Sequence, residues 1–145
     1  MKKTVKLILP LVLPLTIILF ETITKWRYVN VEDAPEDFLY GFPLAFIGRG
    51  WHTSLSLQIF VSELLFDFLV YFAFCFITVM LIDNYCKPII IKKYLKFSLY
   101  GIAGLLLLFY GLIGSIQDNV FKMKRDFNYE EVRSGYKFIW QENKR

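Results

Sequence analysis

Two carboxylates, Glu63 and Asp67, stand in or beside one of the most apolar stretches of this chain. Four residues apart, they share one face of a helix. A charged side chain at the centre of a bilayer costs at least ~2.5–3.5 kcal/mol on insertion scales, so such a group usually faces the interior and has a partner. Candidate partners are Arg49 and His52 just upstream, with Lys25 and Arg27 further back; Glu21 is a third carboxylate at similar depth. Steps of three and four extend the stripe to Tyr71, Phe74 and Thr78. The cluster reads as an ion-pair network that fixes helix register, as a proton or cation site, or as a catalytic group.

Other chemistry is poorly provisioned. His52 is the only histidine, and zinc or haem centres draw on several strong ligands, so neither a metal nor a cofactor is expected. Ser54 and Ser56 near His52 lack the GxSxG elbow and a third member of a triad. The chain has no phosphate-binding loop, dinucleotide fingerprint or HExxH. No residue is assigned a catalytic role. A different signature lies further on, where Ser98, Gly101, Gly104, Gly111 and Ser115 recur at helical spacing as a small-residue face that lets another helix approach closely, of this chain or of a second one.

The elements that must position these groups are three apolar runs: Leu7–Phe20, extendable to Thr24; Leu64–Ile82; and Phe97–Ile116. About 20 apolar residues of helix cross the roughly 30 Å hydrocarbon layer. The chain is 56% hydrophobic and 19% aromatic, with a mean hydropathy of +0.44. The expected fold is therefore an all-α membrane protein with three transmembrane helices. The boundaries are a first span over 7–24, an outer loop over 25–56, a second span over 57–82, an inner loop over 83–96, a third span over 97–116 and a tail over 117–145. Pro88 in the short inner link suits the first turn of the next helix, so spans two and three form an antiparallel hairpin. The first run resembles a signal peptide, but no small-x-small cleavage site follows, which favours a retained anchor.

Lysines 2, 3 and 6 before span one, and Lys87, Lys92, Lys93 and Lys96 in the inner link, place the N-terminus and that link in the cytoplasm. Residues 25–56 and the tail then face outward from an inner membrane. The net charge of +4 belongs to helix ends that meet lipid headgroups, not to a nucleic-acid surface. Trp26–Val31 alternates at the two-residue period of a strand. In the tail, Phe127–Val132 and Tyr136–Trp140 flank Arg133-Ser134-Gly135, which reads either as a hairpin or as an amphipathic tail. Residues 26–31 and 127–140 thus leave room for a small extracytoplasmic β element. Cys75 and Cys86, eleven residues apart on a helix, are too distant for a disulfide.

Tyr40-Gly41-Phe42-Pro43-Leu44, followed by Ser54-Leu55-Ser56-Leu57-Gln58 and an aromatic-rich span, resembles small uncharacterised bacterial multi-span membrane proteins of similar length. The resemblance covers residues 40–82, implies an inner-membrane setting, and brings no activity, cofactor or site residue with it. The expected function is that of a non-catalytic accessory or interaction subunit of a larger membrane assembly, whose partners are lipids and other membrane subunits or a second copy of itself. The alternatives are an oligomer that moves protons or cations through Asp67 and Glu63, and a membrane immunity or stress protein.

Overall fold

A computed structural model describes residues 8–31, 36–50, 56–86 and 89–138. Its elements overturn the all-α expectation. Three helices are present, but so is a six-stranded mixed sheet in the order β5-β4-β3-β2-β1-β6. The strands are β1 (Ile23–Val31), β2 (Asp37–Tyr40), β3 (Ile47–Arg49), β4 (Leu57–Phe60), β5 (Val120–Lys122) and β6 (Tyr129–Phe138). All neighbours pair antiparallel except β4 and β5, which run parallel.

Length explains why most of this sheet escapes a reading of periodicity. β2, β3 and β4 hold four, three and four residues, too few for a two-residue alternation to stand out. β4 also merges with the apolar run that follows it, because Phe60 ends the strand and Val61 opens the helix. The expected second span over 57–82 therefore begins with four residues of strand. The tail hairpin is corrected as well: β6 runs unbroken through Arg133-Ser134-Gly135 and pairs with β1 from Ile23↔Phe138 to Val31↔Tyr129. A bulge between Tyr28 and Val29 absorbs one extra β6 residue.

The helices are α1 (Leu13–Thr22), α2 (Val61–Tyr85) and α3 (Lys93–Gly114). A π-helical turn, Ile8–Val12, precedes α1. Pro10 and Pro14 each remove one backbone donor there, which disfavours regular i→i−4 bonding. α2 runs 25 residues with neither Gly nor Pro, and Glu63 in its first turn complements the positive end of the helix.

The chain divides into two compact units, Met1–Glu21 with Phe68–Leu112, and Thr22–Asp67 with Ile113–Arg145. In the helical unit the buried centre is Val12, Cys75 and Val79, against which Leu15, Leu19, Phe72 and Phe76 pack. In the sheet unit it is Val29, Val31, Leu39 and Ala45, joined by Phe127 and Tyr129. Phe60 is fully buried and meets Phe127 edge-on, with ring centroids 5.8 Å apart. Burying one such side chain contributes about 1.5–3 kcal/mol.

Candidate functional site

Alternation along β1 sends Arg27, Val29 and Val31 to the buried side of the sheet. An arginine on that face must find acceptors, since an unpaired buried charge is prohibitive. Arg27 is 4% exposed, and its guanidinium donates to the Gly41 carbonyl at 2.7 Å and to the Pro43 carbonyl at 2.6 Å. Its Nε lies 3.3 Å from Glu131 Oε2 on β6, and Lys25 Nζ reaches the other oxygen of that carboxylate at 3.2 Å.

The loop that Arg27 holds, Gly41–Leu44, contains a cis Phe42–Pro43 peptide. Gly41 has φ +139°, and a side chain there would run into the Leu44 carbonyl and the Phe46 ring. Only glycine fits that position. Asp67 holds the same loop by its amides. Leu44 N–H donates to Asp67 Oδ1 at 2.9 Å, and the Phe42 amide adds a weaker bond. Carbonyls at 41 and 43 thus go to a cation, and amides at 42 and 44 to an anion. The loop is clamped between opposite charges, and Arg27 acts electrostatically on Asp67 as well.

Asp67 is fully buried, and its Oδ2 has no well-formed hydrogen bond among the described residues. Glu63, one turn earlier, is 7% exposed. It accepts from Ser62 Oγ at 2.6 Å and from the Arg125 amide at 3.3 Å, while Ser62 N–H donates to the Met123 carbonyl at 2.9 Å. Glu63 therefore fastens residues 123–125 to the start of α2. Glu63 and Asp67 do share a face. The buried face then continues by strict steps of four, through half-buried Tyr71 to Cys75 and Val79, whereas Phe74 and Thr78 are exposed. Steps of four advance about 40° per turn around a helix of 3.6 residues per turn, so the seam drifts away from the Tyr71, Phe74 and Thr78 stripe.

The other expected members lie elsewhere. Arg49 has a side chain 65% exposed, and its Nε is 4.0 Å from Asp37 Oδ1. His52 lies outside the described residues. Glu21 ends α1 nearly at its last turn, where its carbonyl accepts from the Tyr110 hydroxyl at 3.2 Å. Ser98, Gly101, Gly104 and Gly111 are exposed on α3 and Ser115 is exposed just past its end, and a methyl added at any of the three glycines would meet nothing within 4 Å. No intrachain helix fills that face among the described residues.

The central residue of the network is Arg27, which sequence reasoning offered only as one of several partners. The signal for it was the alternation of Trp26–Val31, which aligns Arg27 with two valines. Among the described residues no group of three or more His, Cys, Asp or Glu side chains could hold a metal ion. The arrangement can orient a loop and join strands to a helix; it brings no nucleophile to a general base. No family model, curated protein or solved structure matches this chain.

Proposed function

We propose that this chain is a membrane-held, non-catalytic interaction subunit, with α2 and α3 as a hairpin through the bilayer and the sheet as its soluble recognition part. The observation that carries the reading is exposure. The most apolar 18-residue windows of α2 and α3 have mean hydropathies of 2.4 and 1.9, yet 17% and 6% of those windows are buried. The core helix of a soluble protein is mostly buried; helices this apolar and this bare suit a lipid surrounding.

Connectivity supports one arrangement about the membrane. β1 follows α1 directly, β4 runs straight into α2, and β5 begins six residues after α3 ends. Strands joined to all three of those helix ends belong to one sheet, so if α2 and α3 each cross the bilayer once, those ends fall on one side of it and the link after Tyr85 on the other. Lys92, Lys93 and Lys96 support a cytoplasmic side for that link. The role in an assembly draws on β6, a ten-residue strand at the edge of the sheet. An open edge offers backbone donors and acceptors to an added strand. Asp67 is occupied in holding residues 42–44, which favours a structural part for it over ion passage.

The test is extraction in mild detergent followed by size-exclusion chromatography and mass spectrometry. A partner recovered in stoichiometric amount supports the reading; a chain that stays soluble without detergent, or one that elutes alone, overturns it. Cys86 is exposed and Cys75 buried, so a membrane-impermeant maleimide should label the native protein only after the cells are opened.

A further inference from the structure

The outward face of the sheet carries a cleft of about 550 Å3 that the Arg27 network does not use. That volume falls within the roughly 300–1,000 Å3 of small-molecule sites. Its lining follows from register. Trp26 and Tyr28 alternate with buried Arg27 and Val29, so they point away from the core. Phe38 on β2 and Arg133 on β6 both stand opposite Tyr28 and share its face. On β3, Ile47 pairs with Tyr40, which puts Arg49, two residues on, on that same side. Arg133 and Arg49 therefore end a floor four strands wide, about 14 Å at the usual spacing of neighbouring strands.

The floor is aromatic and firmly set. Phe38 lies 5.0 Å from Tyr28 and 6.1 Å from Trp26, ring centre to ring centre. Trp26 pairs with Gly135, and a Cβ at that glycine would come within 3.0–3.2 Å of the indole. The indole thus rests across β6, and the missing side chain is what lets it do so. The rim is polar and balanced. Glu36 accepts from the Tyr28 hydroxyl, and Asp37 Oδ1 accepts from its neighbour's amide, Phe38 N–H, at 2.7 Å. Two guanidiniums and two carboxylates leave the cleft without net charge.

A ligand that suits such a cleft has ring faces of C–H groups to lie on the π-faces, hydroxyls that both donate to carboxylates and accept from guanidiniums, and no net charge. An anion would meet the two carboxylates, and a purely apolar ligand would strip water from four charges without return. We propose that the cleft between Arg133 and Arg49 binds a neutral oligosaccharide, its rings stacked on Trp26 and Phe38. The site lies wholly within the sheet unit and does not depend on α2 and α3 crossing a bilayer.

The full chain, held in a zwitterionic detergent with no sugar headgroup, is titrated calorimetrically with maltotriose, cellotriose, chitotriose and mannotriose. Saturable binding of at least one is expected, weakened about tenfold or more by Trp26→Ala, the scale of a truncated aromatic anchor. Because Trp26 also covers Gly135, Arg49→Ala supplies a second variant at a side chain 65% exposed; it should weaken binding and leave thermal unfolding unchanged. No binding by any of the four, or binding indifferent to both variants, overturns the proposal. So does binding confined to a heparin oligosaccharide or to an extended peptide, either of which gives the cleft to another class of ligand.

Discussion

The two units bury opposite things. In the sheet unit the interior holds Arg27, Ser56, Gln58, Glu63 and Asp67 alongside its apolar residues. In the helical unit the one buried polar side chain among the described residues is Thr16, whose hydroxyl donates to the Val12 carbonyl four residues back at 2.8 Å. Outside, the contrast reverses: Leu69, Phe74, Leu105 and Leu108 are all more than 60% exposed on α2 and α3. A fold in water hides apolar groups and shows polar ones. The helical unit departs from that rule along most of α2 and α3, while the sheet unit carries charges at its centre. The membrane-held reading proposed above draws on this difference.

The strongest way to break the comparison is to empty the polar centre. Arg27→Ala leaves Asp67 and Glu131 without their shared cation and two loop carbonyls without donors. Removing one partner of a buried charged network costs about 3–5 kcal/mol. Chemical unfolding in detergent, followed by tryptophan fluorescence, should show that loss, together with new proteolytic cleavage near residues 41–44. Asp67→Asn keeps an acceptor for the Leu44 amide and should cost less. A loss below about 1 kcal/mol for Arg27→Ala, the range of exposed ion pairs, would show that water already screens the network.

The second test addresses the other half. Leu105 is 71% exposed on α3. At a water-facing position Leu105→Asp would change stability within about ±0.5 kcal/mol. In lipid it costs about 2.5–3.5 kcal/mol on insertion scales, and the chain should lose its place in the membrane fraction. Val132→Asp, on β6 and 55% exposed, is the control in the sheet unit, where the same change should be tolerated. Equal behaviour of the two variants would erase the contrast.

How legible this was in the sequence follows the same divide. Long helices announce themselves because twenty apolar residues have few other uses; Pro88, expected in the first turn of the next helix, lies outside the described residues, and that helix begins at Lys93. The face shared by Glu63 and Asp67 follows from spacing alone. β1 could be read because nine residues of strand give alternation room to show. β2 to β4 could not, because three or four residues between Gly and Pro look like loop, and the sheet exists only once distant segments pair. Gly135 misled most: beside Arg133-Ser134 it reads as a turn, whereas its real task is to clear space for Trp26 on the neighbouring strand. Nothing local in the sequence records a vacancy that a partner 109 positions away will fill.

The smallest expected effect concerns the rim of the polar network. The Ser134 hydroxyl, then Lys25 and Arg27, hold the Glu131 carboxyl below its usual range. The unfolded chain, with its carboxyl near about 4.3, therefore binds the proton more readily than the folded one. The stabilisation is complete above that value and is lost as pH falls through the lower folded pKa. Unfolding midpoints measured from pH 6 downward should fall through this window, and Glu131→Gln should flatten part of the slope. Asp126 is held down in the same range by Lys122, so Asp126→Asn must remove a separate share. The Glu131 side chain is 35% exposed, and partial hydration keeps the effect small and sensitive to salt. If Glu131→Gln leaves the acid slope intact while Ser134→Ala changes it, the hydroxyl works through the strand and not through this carboxylate, and Arg27 would owe its place to the 41–44 loop and Asp67 alone.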